Sequence, residues 1–589
     1  MKKIVLALVT FFFMFVIVGC VEVVTTVPTT TQTPTTTQAT TQPTTTQPTT
    51  TISGQTTVSG QTTASEQTTV PTTVATTTTI PKVIMDLPDA EVDITFWHIY
   101  GAGKSAVLDQ LIVEFEAMYP NVTINSVAQS DYNTLREKIN LGISVGQVPT
   151  MALGYPDHFA AYITTGAVLS LDNYINSNVA YEVLDSTSSI VSQLVDVGVD
   201  LNDFPESYLA ENNQYIGGHY YSMPFSKSTE TMAVNRTVLK AHVTEIRAMG
   251  ITISDEGFLS HSTPLTFAQL QQLSTILVNE TAVTDVANFQ CGYLLNYDSS
   301  GNMFINMSRQ WKAPYTNSSG AILINNDTTK NMLNYIKAMF NARTFVLPVV
   351  WGQLYGSANF ILGDVCMTVG STAGVAYNIP TGTDVLEKFG KFEVDFLTVP
   401  QTVTASDTPV TMSSGTNDYN ITGALSAVQQ GPNIGIFSSA NSNQKLFAWL
   451  FIKWLMTTEN TAKWAMSTGY LPARLSSYTS DVQIDLTTTF SITYTEFMHI
   501  AQDYWTADGL VTWELTDERW DYLYSSMVAN VAMSQTSFYQ YDPAFAAGSV
   551  SSGSAQVRVE AGYCLENVYT GTYSPTGALS FMVNQLIWG

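Results

Sequence analysis

Cysteine and positive charge are scarce in this chain. Its 589 residues include only 4 Cys and 23 Lys+Arg. The cysteines, Cys20, Cys291, Cys366 and Cys564, are too few and too scattered for a disulfide framework or a zinc site. Against 48 Asp+Glu the basic residues leave a net charge of −25. That balance excludes nucleic acid as a partner, since nucleic acid needs a basic surface to displace its counterions. It also disfavours charge-driven attachment to anionic lipid. An anionic small ligand is compatible only with a local cation. Long apolar runs are missing too, apart from Ile4 to Val18, so no bundle of membrane-spanning helices is expected.

What is present begins with that one run. Lys2 and Lys3 precede it, and it ends Ile17-Val18-Gly19-Cys20. A short positive region, an apolar core and a small residue describe a secretory leader, and the following cysteine resembles a bacterial lipobox. Residues 1–20 then form the leader, and acyl chains on Cys20 hold the protein at the outer face of the membrane. An uncleaved membrane helix is the alternative reading of the same run. Residues 21–82 are nearly all Thr, Pro, Gln and Ser, with little to bury, and read as a disordered, extended tether.

The folded part that follows is 45% hydrophobic overall and too long for one core, so two lobes or more are expected. Val92–His98 alternates like a strand, and a helix is predicted from Ser105 to Met118 on the spacing of Leu108, Leu111, Ile112 and Phe115. A strand at Val122–Val127, a helix at Tyr132–Ile143, a strand at Thr150–Leu153 and a helix at Asp157–Thr165 follow. This alternation indicates α/β architecture with a largely parallel sheet. Tyr221 to Asn235 reads as an extended entry, a break at Pro224, a passage of small hydroxyl residues and a strand from Thr231 to Val234. Further on, helices are expected after Thr266, over Thr328–Phe340, Asn443–Met456 and Glu459–Ser467, with strands at Phe360–Val369, Val394–Val399 and Ile434–Phe437. Beyond Ser480 the chain reads as helical and aromatic.

Two catalytic look-alikes fail. Gly101-Ala-Gly-Lys104-Ser105 lacks the first glycine of a phosphate loop, that position being His98. Gly142-Ile-Ser144-Val-Gly146 sits where a helix ends, whereas a nucleophile elbow needs a strand-to-helix turn. No pair of carboxylates stands out as a glycosidase would require.

Five stretches in order carry a family resemblance: Ile94–His98; Leu111–Tyr119 with Pro120-Asn-Val122; Met223–Thr229 with Val234-Asn235; Gly363–Met367 with Gly370-Ser371; and Trp449–Leu455 with Gly469–Pro472. The chain resembles the extracellular solute-binding proteins of bacterial ABC importers, the group that includes maltose-binding and glycerol-3-phosphate-binding proteins. The resemblance implies a two-lobed α/β fold of the type II periplasmic-binding-protein class, with crossover strands as hinge and a ligand cleft between the lobes. Lobe one would comprise 83–228 and 401–469, and lobe two 229–400 and 470–589. Crossings are implied near Met223–Thr229, Leu397–Pro400 and Gly469–Arg474. Carried over position by position, the glycerol-3-phosphate branch implies ligand contacts at Tyr132, Asp157, Ser228, Ser371 or Thr372, Tyr470 and Arg558. For a neutral sugar the aromatic and polar groups Trp97, His98, Tyr100, Tyr155 and Trp351 are also available, though each equally suits core packing.

The implied function is capture, without an enzymatic step or cofactor, of a sugar or polyol phosphate by lobe closure, with an ABC permease as partner and the binding protein acting as a monomer. A surface adhesin, suggested by the Thr-rich stalk, and a surface glycosidase are the alternatives. If Cys20 is the lipid attachment point, Cys20→Ala moves the protein from the detergent phase to the aqueous phase in a Triton X-114 partition of cells. Unchanged partitioning would leave the leader reading without support.

Overall fold

A computed structural model describes residues 81–184, 191–279, 290–317, 319–380, 392–514, 516–546 and 553–588. All lie within one unit, Thr78–Gly589. The expected leader, Cys20 and the tether up to residue 80 lie outside the described residues. Among those described, no helix is long and apolar enough to cross a membrane.

The strands in chain order are β1 (Val83–Asp86), β2 (Val92–His98), β3 (Val122–Ala128), β4 (Met151–Gly154), β5 (Val179–Leu184), β6 (Val191–Asp196) and β7 (Met223–Pro224). Then come β8 (Glu230–Asn235), β9 (Tyr293–Tyr297), β10 (Phe345–Val346), β11 (Val365–Ser371) and β12 (Val394–Leu397). Next are β13 (Thr408–Ser414), β14 (Asn417–Gly423), β15 (Ala427–Val428) and β16 (Asn433–Ile436), and three two-residue strands, β17 (Ile484–Asp485), β18 (Ser491–Ile492) and β19 (Tyr539–Gln540), close the set. Two five-stranded sheets form, ordered β3-β2-β4-β16-β7 and β10-β9-β11-β8-β12. In each, the first three strands are parallel and the last two antiparallel to their neighbours. In β2, the alternation seen in the sequence puts Val92, Ile94, Phe96 and His98 inward.

Helices cover the sheets, and their starts are written locally. Thr266 caps Phe267–Leu277 and exchanges bonds with Gln269, and Asn441 does the same with Gln444 ahead of Ser442–Leu455. Each such cap contributes about 1 kcal/mol. The first helix begins at Ala102, three residues ahead of the expected Ser105, with Gly101 as its cap. The helix containing Ser144 ends at Gly146 in the left-handed region, as a helix stop should. The strand expected over Phe360–Val369 forms only in part. Phe360 and Ile361 close a short helix, Ser357–Ile361, and the strand begins only at Val365, because a turn at Gly363 interrupts the apolar run.

Burial divides into two cores, each organised by one sheet. The first gathers Ile94, Phe96, Leu111, Phe115, Met151, Phe225, Ile434 and the inward face of Ser442–Leu455. The second gathers Met232, Val234, Leu295, Met367, Phe396 and the apolar faces of the C-terminal helices. The chain leaves the first sheet at β7 and enters the second at β8. The return runs through Leu397–Pro400 but reaches β16 only after an excursion in which Met412 and Ala427 pack with the second core.

Three segments lie side by side where the chain passes between the sheets. Ser226 N donates to Pro432 O (3.2 Å), Ser228 and Gln430 exchange backbone bonds (2.9 and 3.0 Å), and Leu471 N donates to Lys227 O (2.7 Å). Gly431 sits at φ +100°, and a Cβ there would lie 2.1 Å from Ser226 O, so only glycine permits this approach. Below the crossing the Lys227 ammonium is fully buried. It pairs with Glu211 and donates to Gly431 O (3.2 Å) and Asn433 Oδ1 (3.4 Å).

Cys291 and Cys366 form a disulfide across 75 residues of sequence, joining the amino ends of the neighbouring strands β9 and β11. Scattered spacing does not preclude a single bridge, since a parallel sheet brings distant strand starts together. Cys564 is free and buried in the helix Ser554–Thr570, where burial pushes its thiol up to about 12.

The buried pair gives a stability prediction. Lys227→Met leaves Glu211 charged and unpaired in the interior and should cost about 3–5 kcal/mol in urea unfolding. Lys227→Met with Glu211→Leu should recover most of that loss. A single-variant cost below about 1 kcal/mol would mean that water reaches the pair.

Candidate ligand-binding cleft

In open α/β sheets, ligands gather outside the carboxyl ends of parallel strands. Here both sheets offer such ends. Tyr100 follows β2, Tyr132 follows β3, and Tyr155 and Asp157 follow β4. On the second sheet, the helix Ser300–Gln310 follows β9, the loop containing Tyr355 follows β10, and Thr372 to Tyr377 follow β11, which ends at Ser371. The remaining wall comes from Tyr470 at the third crossing and from Arg558 on the helix Ser554–Thr570, which approaches the helix Pro156–Thr164.

The first-sheet side is aromatic. Tyr132 and Tyr155 lie with ring centroids 4.5 Å apart. Tyr470 stacks on Trp464 at 6.0 Å and meets Tyr100 edge-on at 6.3 Å. The Tyr132 hydroxyl is buried, has no partner of good geometry, and lies within electrostatic reach of Tyr470 and Tyr155. Burial raises all of these phenols, Tyr470 to about 12, so each is a neutral hydroxyl that can donate or accept. Asp157 stands in the first turn of its helix and accepts from His158 N at 2.9 Å.

The second-sheet side is a charge network. Arg558 bonds Asn302 Oδ1 and Asp542, and Arg309 shares the same Asp542 while donating to Gln540 O at 3.1 Å. Asn302 passes the network inward through its amide, 2.8 Å from Glu230 Oε1, and Tyr297 donates to the other Glu230 oxygen. Burial lifts the Glu230 carboxyl to about 7, with the bonds from Tyr297 and Asn302 opposing. Arg558 also feels Asp157 and Tyr155 across the cleft. About one third of its side chain meets solvent, so it lies at the groove surface.

Tyr132, Tyr155, Asp157, Tyr470 and Arg558 are thus brought together. The other expected residues sit differently. His98 is buried, with Nε2 2.7 Å from Ser126 Oγ and Nδ1 accepting from Tyr100 N at 3.1 Å; burial lowers its pKa to about 4. It backs Tyr100, with ring centroids 5.2 Å apart. Trp97, on the opposite face of β2, is half-buried against the first core. Ser228 is buried in the crossing and bonds through its backbone. Ser371 caps a short helix by accepting from Ala373 N at 3.3 Å. Thr372 is buried and donates its N–H to Thr229 O at 2.9 Å. Trp351 packs edge-on against Tyr293 at 6.0 Å. Sequence reading missed Asn302, Arg309 and Asp542, none of which belongs to a local motif. Among the described residues, no group of three or more His, Cys, Asp and Glu could hold a metal.

Residues 110–488 match the family of bacterial extracellular solute-binding proteins. No curated protein sequence matches the chain. Solved structures share the fold. The GacH receptor of Streptomyces glaucescens, solved unliganded and with acarbose, is 14% identical with a TM-score of 0.55, covering 84% of this chain and 98% of that one. UgpB from Mycobacterium tuberculosis, solved with glycerophosphocholine, is 15% identical with a TM-score of 0.55, covering 84% and 97%. An ABC transporter solute-binding protein from Agrobacterium radiobacter, solved with ribitol, is 17% identical with a TM-score of 0.52, covering 85% and 99%. The fold is therefore that of the two-lobed binding proteins.

Glu230 gives a pH prediction. Its folded pKa of about 7 lies above the ordinary 4.5, so its contribution to stability is present in acid and is lost as pH rises between these values. His98 and His158, both lowered to about 4, act the other way as pH falls below 6.5. The Tm of Glu230→Gln minus that of wild type should therefore increase from about pH 5 to about pH 8. A constant difference would contradict the buried carboxyl.

Proposed function

Because the chain belongs to the family of bacterial extracellular solute-binding proteins, we propose that it is the capture component of an ABC importer for neutral carbohydrates or polyols. The observation that carries this reading is the composition of the cleft. Three neutral tyrosines line one side, and the cations on the other are already matched: Arg558 and Arg309 share Asp542, with Asp157 within electrostatic reach. Sugars present C–H faces to aromatic rings and hydroxyls to planar polar groups, which this pairing meets. A phosphate dianion would have to draw Arg558 from Asp542 and settle beside Asp157, so a polyol phosphate is the second reading. The solved neighbours that carry acarbose, ribitol and glycerophosphocholine span both classes.

No bond is made or broken in this act. The lobes, 83–228 with the return from β16 to Gly469, and 229–428 with 470–589, turn about the three crossing segments. A solute touching Tyr155 on one side and Arg558 on the other stabilises the closed form. A permease reads that form, and lipid on Cys20 with the 21–82 tether keeps a monomeric receptor close to it.

Thermal-shift and calorimetric screens test this. A neutral sugar or polyol at 100 times its Kd should stabilise the protein by about 2.7 kcal/mol. Tyr155→Ala should weaken that binding at least about tenfold, or about 1.4 kcal/mol. Binding confined to phosphorylated polyols would overturn the neutral-ligand reading.

A further inference from the structure

We propose that Asp542 decides between neutral and phosphorylated solutes: its carboxylate occupies the anion position that Arg309 and Arg558 build together, and so bars a phosphate from it. This rests on the neutral-solute reading above and names the side chain that enforces it.

Helix packing brings the two arginines to one point. Arg309 follows Asn302 by seven residues on the helix Ser300–Gln310, two turns on and on the same face. The helix Ser554–Thr570, which carries Arg558, lies hard against it: a Cβ at Gly301 would fall 2.9 Å from Arg558 O. Arg558 gives one nitrogen to Asn302 Oδ1 and the other to Asp542 Oδ2. Arg309 gives one nitrogen to Asp542 Oδ1 and another to Gln540 O at 3.1 Å. Two guanidinium groups therefore close on a single carboxylate, one on each oxygen. Asn302 and Gln540 add dipoles but no charge. Paired planar donors on the oxygens of one acidic group are the usual means of holding a ligand's phosphate or carboxylate. Here the chain supplies the acidic group itself. The Asp542 and Arg309 side chains are only 15% and 18% exposed, so water screens the contact little.

Backbone bonds on both sides keep Asp542 in that position. Before it, β19 pairs with β15, and Gln540 O accepts from Gln429 N at 2.8 Å. After it, Ala544 N donates to Gln214 Oε1 at 2.6 Å, and Phe545 N donates to Ser554 Oγ at 3.0 Å. Ser554 N returns a bond to Phe545 O at 3.0 Å, at the start of the helix that bears Arg558. The same bonds set Asp542 beside the first-lobe wall. Gln214 adjoins Tyr215, whose hydroxyl donates to Pro156 O at 3.1 Å, between Tyr155 and Asp157.

A phosphate arriving here meets donors that are already engaged, and a fixed charge of its own sign. A sugar hydroxyl meets no such repulsion, since it can donate to the carboxylate as well as accept from the arginines. Selectivity thus comes from rejecting the wrong solute as much as from holding the right one. Without the Asp542 charge, the same two guanidinium groups would face the cleft uncompensated and form an anion site.

The test is isothermal titration of wild type and Asp542→Asn with glycerol 3-phosphate and inorganic phosphate, beside ribitol and maltotriose as neutral probes. Asp542→Asn should bind glycerol 3-phosphate at least about tenfold more tightly than wild type does, and added sodium chloride should shrink that gain. Asp542→Glu keeps the charge and should show no gain. Asp542→Asn with Arg309→Gln restores the wild-type net charge and leaves one uncompensated guanidinium, so its phosphate affinity should fall between the two. A folded Asp542→Asn whose phosphate affinity equals that of wild type overturns the proposal. Should the single variant fail to fold, an unchanged phosphate affinity in the double variant overturns it instead. In either case a wild type that binds a neutral probe leaves the neutral-solute reading standing. A wild type that binds glycerol 3-phosphate and neither neutral probe overturns both.

Discussion

The buried Lys227–Glu211 pair is the constraint around which the molecule is arranged. An ammonium removed from water costs several kcal/mol unless its partners are fixed and complete. Lys227 meets that demand only where three chain segments converge: its side chain reaches Glu211, Gly431 O and Asn433, and its carbonyl accepts from Leu471. A shift of any one segment would leave a charge or an amide unmatched. Charge satisfaction thus fixes the register of the crossing, and the register fixes which residues face the cleft.

The crossing and the binding wall share atoms. Ser226 Oγ meets the Tyr100 hydroxyl at 2.6 Å and accepts from Trp464 Nε1 at 3.0 Å. Trp464 stacks on Phe225 at 5.1 Å on one side and on Tyr470 on the other. The aromatic lining of the first lobe is therefore seated on the strand about which the lobes turn. On the second lobe, Glu230 opens β8 directly after the crossing and holds Asn302, which holds Arg558. Both walls descend to the same few residues between Phe225 and Glu230.

Local patterns made much of this readable. The alternation of β2, the capped helices and the Pro224–Thr229 passage each depend on neighbours in sequence, and so do the tyrosines that end strands. What escaped depends on distant partners. Val83–Asp86 borders the Thr-rich tether and becomes a strand only by pairing with Val179–Glu182. The hairpin Thr408–Ser414 with Asn417–Gly423 has polar faces and little apolar signal. Phe360–Leu362 reads as strand by composition, but the neighbouring turn decides otherwise. In the cleft, Arg558 was legible only through the family resemblance, which carries a late arginine onto that position. Asp542 and Asn302 were not, since nothing near them in sequence distinguishes them from other polar residues.

The Cys291–Cys366 bridge has a consequence for how the protein matures. It fastens the strand starts of one half, at the ends opposite the cleft, and does not span the pivot. Oxidation can therefore rigidify that half without hindering the swing of one half against the other. It also ties completion of the fold to an oxidising compartment: a chain held in a thiol-reducing cytosol would lack this staple and gain it only after export.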